Sequence, residues 1–168
     1  MNIEKYGFNK LTVEDRDLFK DYFDKMNDNW ASSICFPSML AWNSSIVIYH
    51  RIIGDYICCI ADDRPNSRWV LLPVIGHYDM EALEACMKIV TKIMSELNLP
   101  IIITDVSDWM LPYYLNLKSL RLKESFDVSI SDYIYTVDDF VKGLDRPDNR
   151  YNYNYFIKKF NPIMEEIK

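Results

Sequence analysis

Three β-rich runs crowd into residues 45–74: "SIVIYHRI", "YICCIAD" and "RWVLLPV". The first two are joined only by "IGD", and the second and third by the loop "DDRPNS". Connections this short leave no room for a crossover, so the strands must run antiparallel, as a meander. Gly54-Asp55 is a hairpin signal, and Pro65 with Asn66 suits the turn in the second loop. Everything else in the chain has to pack around this unit.

Helices are expected on both sides of the meander in sequence. "LTVEDRDLFKDYFDKM" opens with Thr12 as an N-cap and Glu14, Asp15 and Asp17 in the first turns, where the helix dipole favours acids. Leu18, Tyr22 and Met26 fall at helical spacing, and Phe19 and Phe23 widen the apolar stripe. A short second helix is expected near Pro37 in "FPSMLAW". After the meander comes the strongest helical pattern, "YDMEALEACMKIVTKIMSELNLP". Asp79 caps it, and Leu83, Cys86/Met87, Val90, Ile93/Met94 and Leu97 keep one face apolar. Asn98 and Pro100 stop it.

Beyond it, "PIIIT" reads as a buried strand. "SDWMLPYYLNL" reads as a helix capped by Ser107 and interrupted at Pro112. "DVSISDYIYTV" reads as one strand, or two with a bend, and "VDDFVKGL" as a helical turn ended by Gly143. A meander followed by a helix and further strands gives an α+β class: a mixed, mostly antiparallel sheet flanked by helices. Residues 1–145 are expected as the main domain, with 146–168 as a connecting helix and tail.

The chain has 168 residues and is 49% hydrophobic, enough for one domain with a real core. Its formal charge of −6 argues against wholesale binding to nucleic acid, which needs a dense cationic face. The charge is uneven. Residues 142–168 hold six Lys/Arg against four Asp/Glu, leaving thirteen against twenty-one in residues 1–141. The apolar runs are too short to span a bilayer, and "MNIEKYGFNKL" has no apolar core of a signal peptide. The four cysteines, Cys35, Cys58, Cys59 and Cys86, show no CxxC spacing and read as reduced core residues of a cytoplasmic protein.

Catalytic chemistry is hard to find. There are two histidines, His50 and His77, neither at metal-ligand spacing, so no metal site is expected. His77 with Asp79 would act as a general-base pair only with a third group that the sequence does not show. The four glycines, Gly7, Gly54, Gly76 and Gly143, are too dispersed to cradle phosphate. Gly76 in "PVIGHYD" does precede a helix, but it reads first as a plain turn. Ser129 and Ser131 lack a partnered histidine nearby in sequence. Asp105, Asp108, Asp138 and Asp139 sit where caps and solvated loops are expected. Catalytic and cofactor-binding residues therefore stay unknown.

Taken in order, these elements resemble a family of bacterial proteins built from two tandem GNAT-like (acyltransferase-type) repeats, which shares its fold with the C-terminal domain of phosphatidylglycerol lysyltransferases. The likeness rests on "FNKLTVEDRDLFKDYF", "FPSMLAW" leading into "IVIYHRIIGDYICCIA", "LLPVIG", and "DYIYTVDDFV". It implies a first, N-terminal GNAT-like repeat, with donor binding and transfer falling to a second repeat. Acyl-CoA or aminoacyl-tRNA would then belong to the two-repeat protein only, and this chain would be a catalytically incomplete half that needs a second repeat or a homodimer mate. Where the resemblance implies a dense basic run, the chain has "DRPDNRYNYNYFIKKF"; only Ile157, Lys159 and Phe160 fit, and no catalytic residue carries over. The other reading is a small acidic interaction module of adaptor or inhibitor type, with no transferase role.

The tail "NRYNYNYFIKKF" alternates like a strand at first sight. Yet Tyr153, Phe156, Ile157 and Phe160 fall at i, i+3, i+4 and i+7. It is expected to be a helix with this aromatic face docked on protein, ended at Asn161-Pro162. RNA stacking on the tyrosines is the lesser expectation, given the acidic chain.

Overall fold

The computed structural model describes residues 3–26, 32–125, 142 and 147–161. The chain divides into two compact units, Met1–Phe126 and Asp127–Lys168.

The first unit is α+β. Strands β1 (Asn9–Lys10), β2 (Ile46–Ile53), β3 (Tyr56–Asp63) and β4 (Arg68–Leu71) form one antiparallel sheet in sequential order. The expected meander is β2–β4. Its hairpin closes with Ile53 opposite Tyr56, and Gly54 takes a φ of +58° at the first central position of the two-residue turn. The second turn is held by Asp63, whose carboxylate accepts from Asn66 Nδ2 at 2.9 Å and Arg68 Nε at 2.8 Å. The two-residue edge strand β1 is too short and polar to leave a pattern in the sequence; it pairs Asn9 with His50 and Lys10 with Tyr49.

Helices cover both faces of the sheet. Side chains alternate along β2 and β3, and the contacts fix which way each row points. His50 meets Phe19 of α1 (Arg16–Phe23), ring edge to face at 5.3 Å. Phe36 of α2 (Phe36–Trp42) packs on the same Phe19 ring at 5.3 Å, which puts α2 on this side as well. On the other face, Cys58 touches Cys86 and Tyr56 reaches Asp79, both at α3 (Met80–Glu96). With helices on both sides, every residue from Tyr56 to Ala61 is buried. β3 accordingly reads as a continuous apolar run and not as an alternating one.

The helix signals were accurate for α3. Asp79 Oδ1 accepts from Ala82 N–H at 2.9 Å, and Leu83, Cys86, Met87, Val90, Ile93 and Met94 are buried. Full burial of an aliphatic side chain of this size contributes about 1.5–3 kcal/mol, so this face anchors the helix. Asn98 ends the segment with a φ of +55°. At the N-terminus the expected helix is divided. Thr12 starts a 3-10 turn over Val13–Asp15, and α1 proper begins at Arg16. Asp15 Oδ2 accepts from both Thr12 N–H (2.8 Å) and Thr12 Oγ1 (3.0 Å), half of a capping arrangement.

Two expectations after α3 need correction. "PIIIT" is not a full strand: Ile103 makes one isolated parallel bridge to Leu71, and residues 101–104 are only half-buried. The reason is on the partner. Past Leu71, the residue that should donate outward is Pro73, which has no N–H, and Asp105 turns away at a φ of +60°. The second correction concerns α4, which is short, Leu111–Leu115. Pro112 lies in its first turn and starts it instead of kinking it. The Ser107 carbonyl accepts from Met110 and Leu111, but its hydroxyl caps nothing.

In the second unit, α5 (Pro147–Phe160) is the expected tail helix, ended by Asn161 at a φ of +40°. The strand and turn expected over "DVSISDYIYTV" and "VDDFVKGL" lie outside the described residues, apart from Lys142, which is helical.

Candidate functional site

The junction between β4 and α3 is the most elaborately built part of the first unit. β3–β4 pairing sets Ile60 opposite Leu71, but Ile57 opposite Ile75. One extra residue on the β4 side is absorbed between these pairs, a β-bulge containing Pro73. On its other flank the strand parts from residues 103–105 after the single bridge at Leu71. Among the described residues no strand lies beside the backbone groups of the bulge on that flank, and burial obliges them to find other partners.

Two tyrosines supply those partners. Val74 N–H donates to the Tyr114 hydroxyl at 2.9 Å, and the Tyr78 hydroxyl donates to the Val74 carbonyl at 3.0 Å. The two hydroxyls are 3.2 Å apart. One proton arrangement satisfies all three contacts: Val74 N–H to Tyr114, Tyr114 to Tyr78, Tyr78 to the Val74 carbonyl. A third tyrosine fixes the start of α3. Tyr56 accepts from Asp79 N–H at 3.1 Å and donates to the Asp79 carbonyl at 3.2 Å. Tyr78 lies at the centre of the cluster, edge-on to Trp109 at 4.9 Å and to Tyr113 at 5.2 Å. Burial pushes the phenols of Tyr78 and Tyr114 far above their ordinary range, and that of Tyr56 up as well. These are neutral structural hydroxyls at any physiological pH.

Gly76 is part of the same construction. It adopts a φ of +150°, and a Cβ there would lie 2.6 Å from the Asp55 carbonyl oxygen. Its role is close approach of the junction to the β2–β3 turn, consistent with the plain-turn reading. The N-terminus of α3 is occupied by its own cap: the Asp79 carboxylate holds Ala82 N–H, with Glu81 following in the first turn. Asp79 is thereby committed to capping. His77 is exposed in the loop.

His50 is a core residue. Its ring is buried, and Nε2 lies 3.2 Å from Asp15 Oδ1, the carboxylate that also caps at Thr12. Sequence spacing gave no hint of this pair, because β1 and the first turn bring together residues 35 positions apart. On the other face, a shallow groove of about 470 Å³ runs between β2 and α3, with Tyr6, Arg51, Lys88, Ile89, Lys92 and Glu96 on its walls. Two of its cations are engaged: Arg51 Nη1 donates to the Tyr6 carbonyl at 2.6 Å, and Lys88 Nζ lies 3.4 Å from Glu84. Among the described residues no group of three His, Cys, Asp or Glu is placed to hold a metal ion. Ser129, Ser131, Asp138 and Asp139 lie outside the described residues.

The residues expected at an interface fall on α5 as drawn from their spacing. Tyr153, Phe156 and Phe160 are exposed and Ile157 is half-buried. The Phe156 and Phe160 rings meet at 5.2 Å, tilted by 42°. Tyr151 and Tyr155 lie on the opposite side of the helix and are exposed too, with Lys159 Nζ 5.4 Å from the Tyr155 ring. The helix thus carries two aromatic faces, whereas the i, i+3, i+4, i+7 row marks only one of them.

Among the described residues no helix is long and apolar enough to cross a membrane. No family model, no curated protein and no solved structure matches the chain.

Proposed function

We propose that this chain is a catalytically incomplete half of an acyl- or aminoacyltransferase-like, GNAT-like protein, acting in the cytoplasm with a second half supplied by another chain or by a second copy. The observation that carries this reading is the closed hydrogen-bond circuit at Val74. An extended donor bearing amide and phosphate groups needs free backbone groups along a strand and an open helix terminus for its anion. Here the free strand groups are taken by Tyr114 and Tyr78, and the terminus of α3 by Asp79. The element order of helices, meander, long helix and parallel bridge also supports it. Donor binding would fall to the second half, docked through the face of α5 that carries Tyr153, Phe156, Ile157 and Phe160.

Calorimetric titration of acetyl-CoA into the isolated chain tests the proposal. No saturable heat is expected. Saturable low-micromolar binding with turnover would refute the incomplete-half reading.

A second reading, an interaction module without a transferase role, is favoured by the two exposed aromatic faces of α5. A stoichiometric partner that itself carries an acyltransferase fold supports the first reading; one without such a fold supports the second.

A further inference from the structure

Cys58 and Cys86 face each other across the interface between the sheet and α3, with their Sγ atoms 3.1 Å apart. Cys58 lies in the middle of β3, and Cys86 on the second turn of α3. Both are buried, and nothing stands between them. A disulfide needs its sulfurs about 2.05 Å apart, so the two thiols must close by roughly an ångström. The remaining cysteines are placed elsewhere. Cys59 alternates to the opposite face of the sheet, the one shared with His50. Cys35 lies before α2, with its Sγ 3.1 Å from Ser38 Oγ.

We propose that Cys58 and Cys86 are a specific disulfide site, closed by a peroxide-class oxidant, that staples β3 to α3. One thiolate sulfur attacks a peroxide oxygen. An S–O bond forms, the O–O bond breaks, and the departing hydroxide takes the thiol proton to become water. The second sulfur then attacks the sulfenic sulfur. The S–S bond forms, the S–O bond breaks, and the released hydroxide leaves as water with the second proton. With hydrogen peroxide as the oxidant, two thiols are oxidised and one peroxide is reduced to two waters.

The surroundings make this a slow, selective reaction. The neighbouring Cys86 thiol and burial both push the Cys58 thiol well above its ordinary range, so little thiolate exists in the closed structure. Oxidation therefore proceeds through transient parting of α3 from the sheet. Once formed, the bond locks that parting out. The segment it spans contains the whole β4–α3 junction, with the Val74 bulge, Gly76 and the Asp79 cap. The staple thus controls how freely the tyrosine-held junction opens.

The experiment is peroxide treatment of the folded chain, followed by intact mass and non-reducing peptide mapping. A loss of about 2 Da per chain, a Cys58–Cys86 cross-linked peptide, reversal by dithiothreitol and a melting temperature higher by about 5–10 °C are expected. Sub-denaturing urea should speed the reaction. The double variant Cys35→Ser/Cys59→Ala should keep the mass loss, and Cys86→Ala should abolish it. Oxygen adducts alone, a cross-link to Cys35 or Cys59, or a cross-link only between chains would overturn the proposal. Peptide mapping of the unsubstituted chain decides the matter even if Cys86→Ala fails to fold.

Discussion

The Tyr114 hydroxyl accepts the backbone N–H of Val74 at 2.9 Å, at a point that none of the described strands reaches. The contact joins α4 to the β4 bulge across forty residues of sequence, and it is one side of a circuit completed by Tyr78. Tyr114→Phe keeps the ring and strands a buried N–H. The expected cost is about 1–3 kcal/mol, read as a lower urea midpoint with an unchanged slope. Tyr113→Phe, whose hydroxyl plays no part in the circuit, serves as the control and should shift the midpoint far less.

The same phenols predict a base-induced transition. Their folded pKa values are raised, chiefly by burial. The stabilisation they give is complete below the unfolded tyrosine pKa, near 10. It is lost as pH rises above that value, because the unfolded chain releases protons that the folded one retains. Stability followed by circular dichroism should fall steeply above about pH 10. Tyr78→Phe should flatten that fall.

Gly76→Ala tests the close approach at the junction. The added methyl meets a backbone oxygen at 2.6 Å, which no side-chain rotation relieves. A destabilisation of about 2 kcal/mol or more is expected. Gly54→Ala has nothing within 4 Å and suffers only its turn geometry, so it should cost less. A reversed order in thermal melts would remove the close-approach argument.

Asp63 gives a prediction at the acid end. Burial works to raise its pKa, but the hydrogen bonds from Arg68 and Asn66 outweigh it and hold the carboxyl below its ordinary value. A lowered folded pKa gives stability above the unfolded value, near 4, that is lost as pH falls through the folded one. Asp63→Ala should destabilise at neutral pH by about 1–3 kcal/mol. The gap to the unsubstituted chain should close below about pH 4.

If α5 docks a second copy or a partner, Phe156→Ala/Phe160→Ala should weaken that association in sedimentation velocity without moving the melting temperature of the first unit. Equal weakening by Tyr151→Ala/Tyr155→Ala would assign the docking to both aromatic faces.

What the sequence revealed followed its periodicities. The meander, α3 with its Asp79 cap, the Pro37 helix and the tail helix all rest on local spacing, and local spacing suffices for such elements. The bulge at Pro73, the loss of the fifth strand and the Tyr114–Val74 contact depend on what lies beside β4 in space. "PIIIT" looked like a strand because its own residues favour one. The missing partner was Pro73, thirty residues upstream of Ile103. The Asp15–His50 pair was hidden for the same reason: neither residue is unusual until the sheet brings them together.

The double cover of β3 has one more consequence. Its central residues pair with β2 throughout and are roofed by helices above and below. No local fluctuation of an edge, a turn or a terminus exposes them. Hydrogen exchange at Cys58 and Ile60, whose amides face β2, should therefore require unfolding of the entire first unit. These two amides form a built-in gauge: their slowest exchange rate, measured without denaturant, reports the global stability of the first unit.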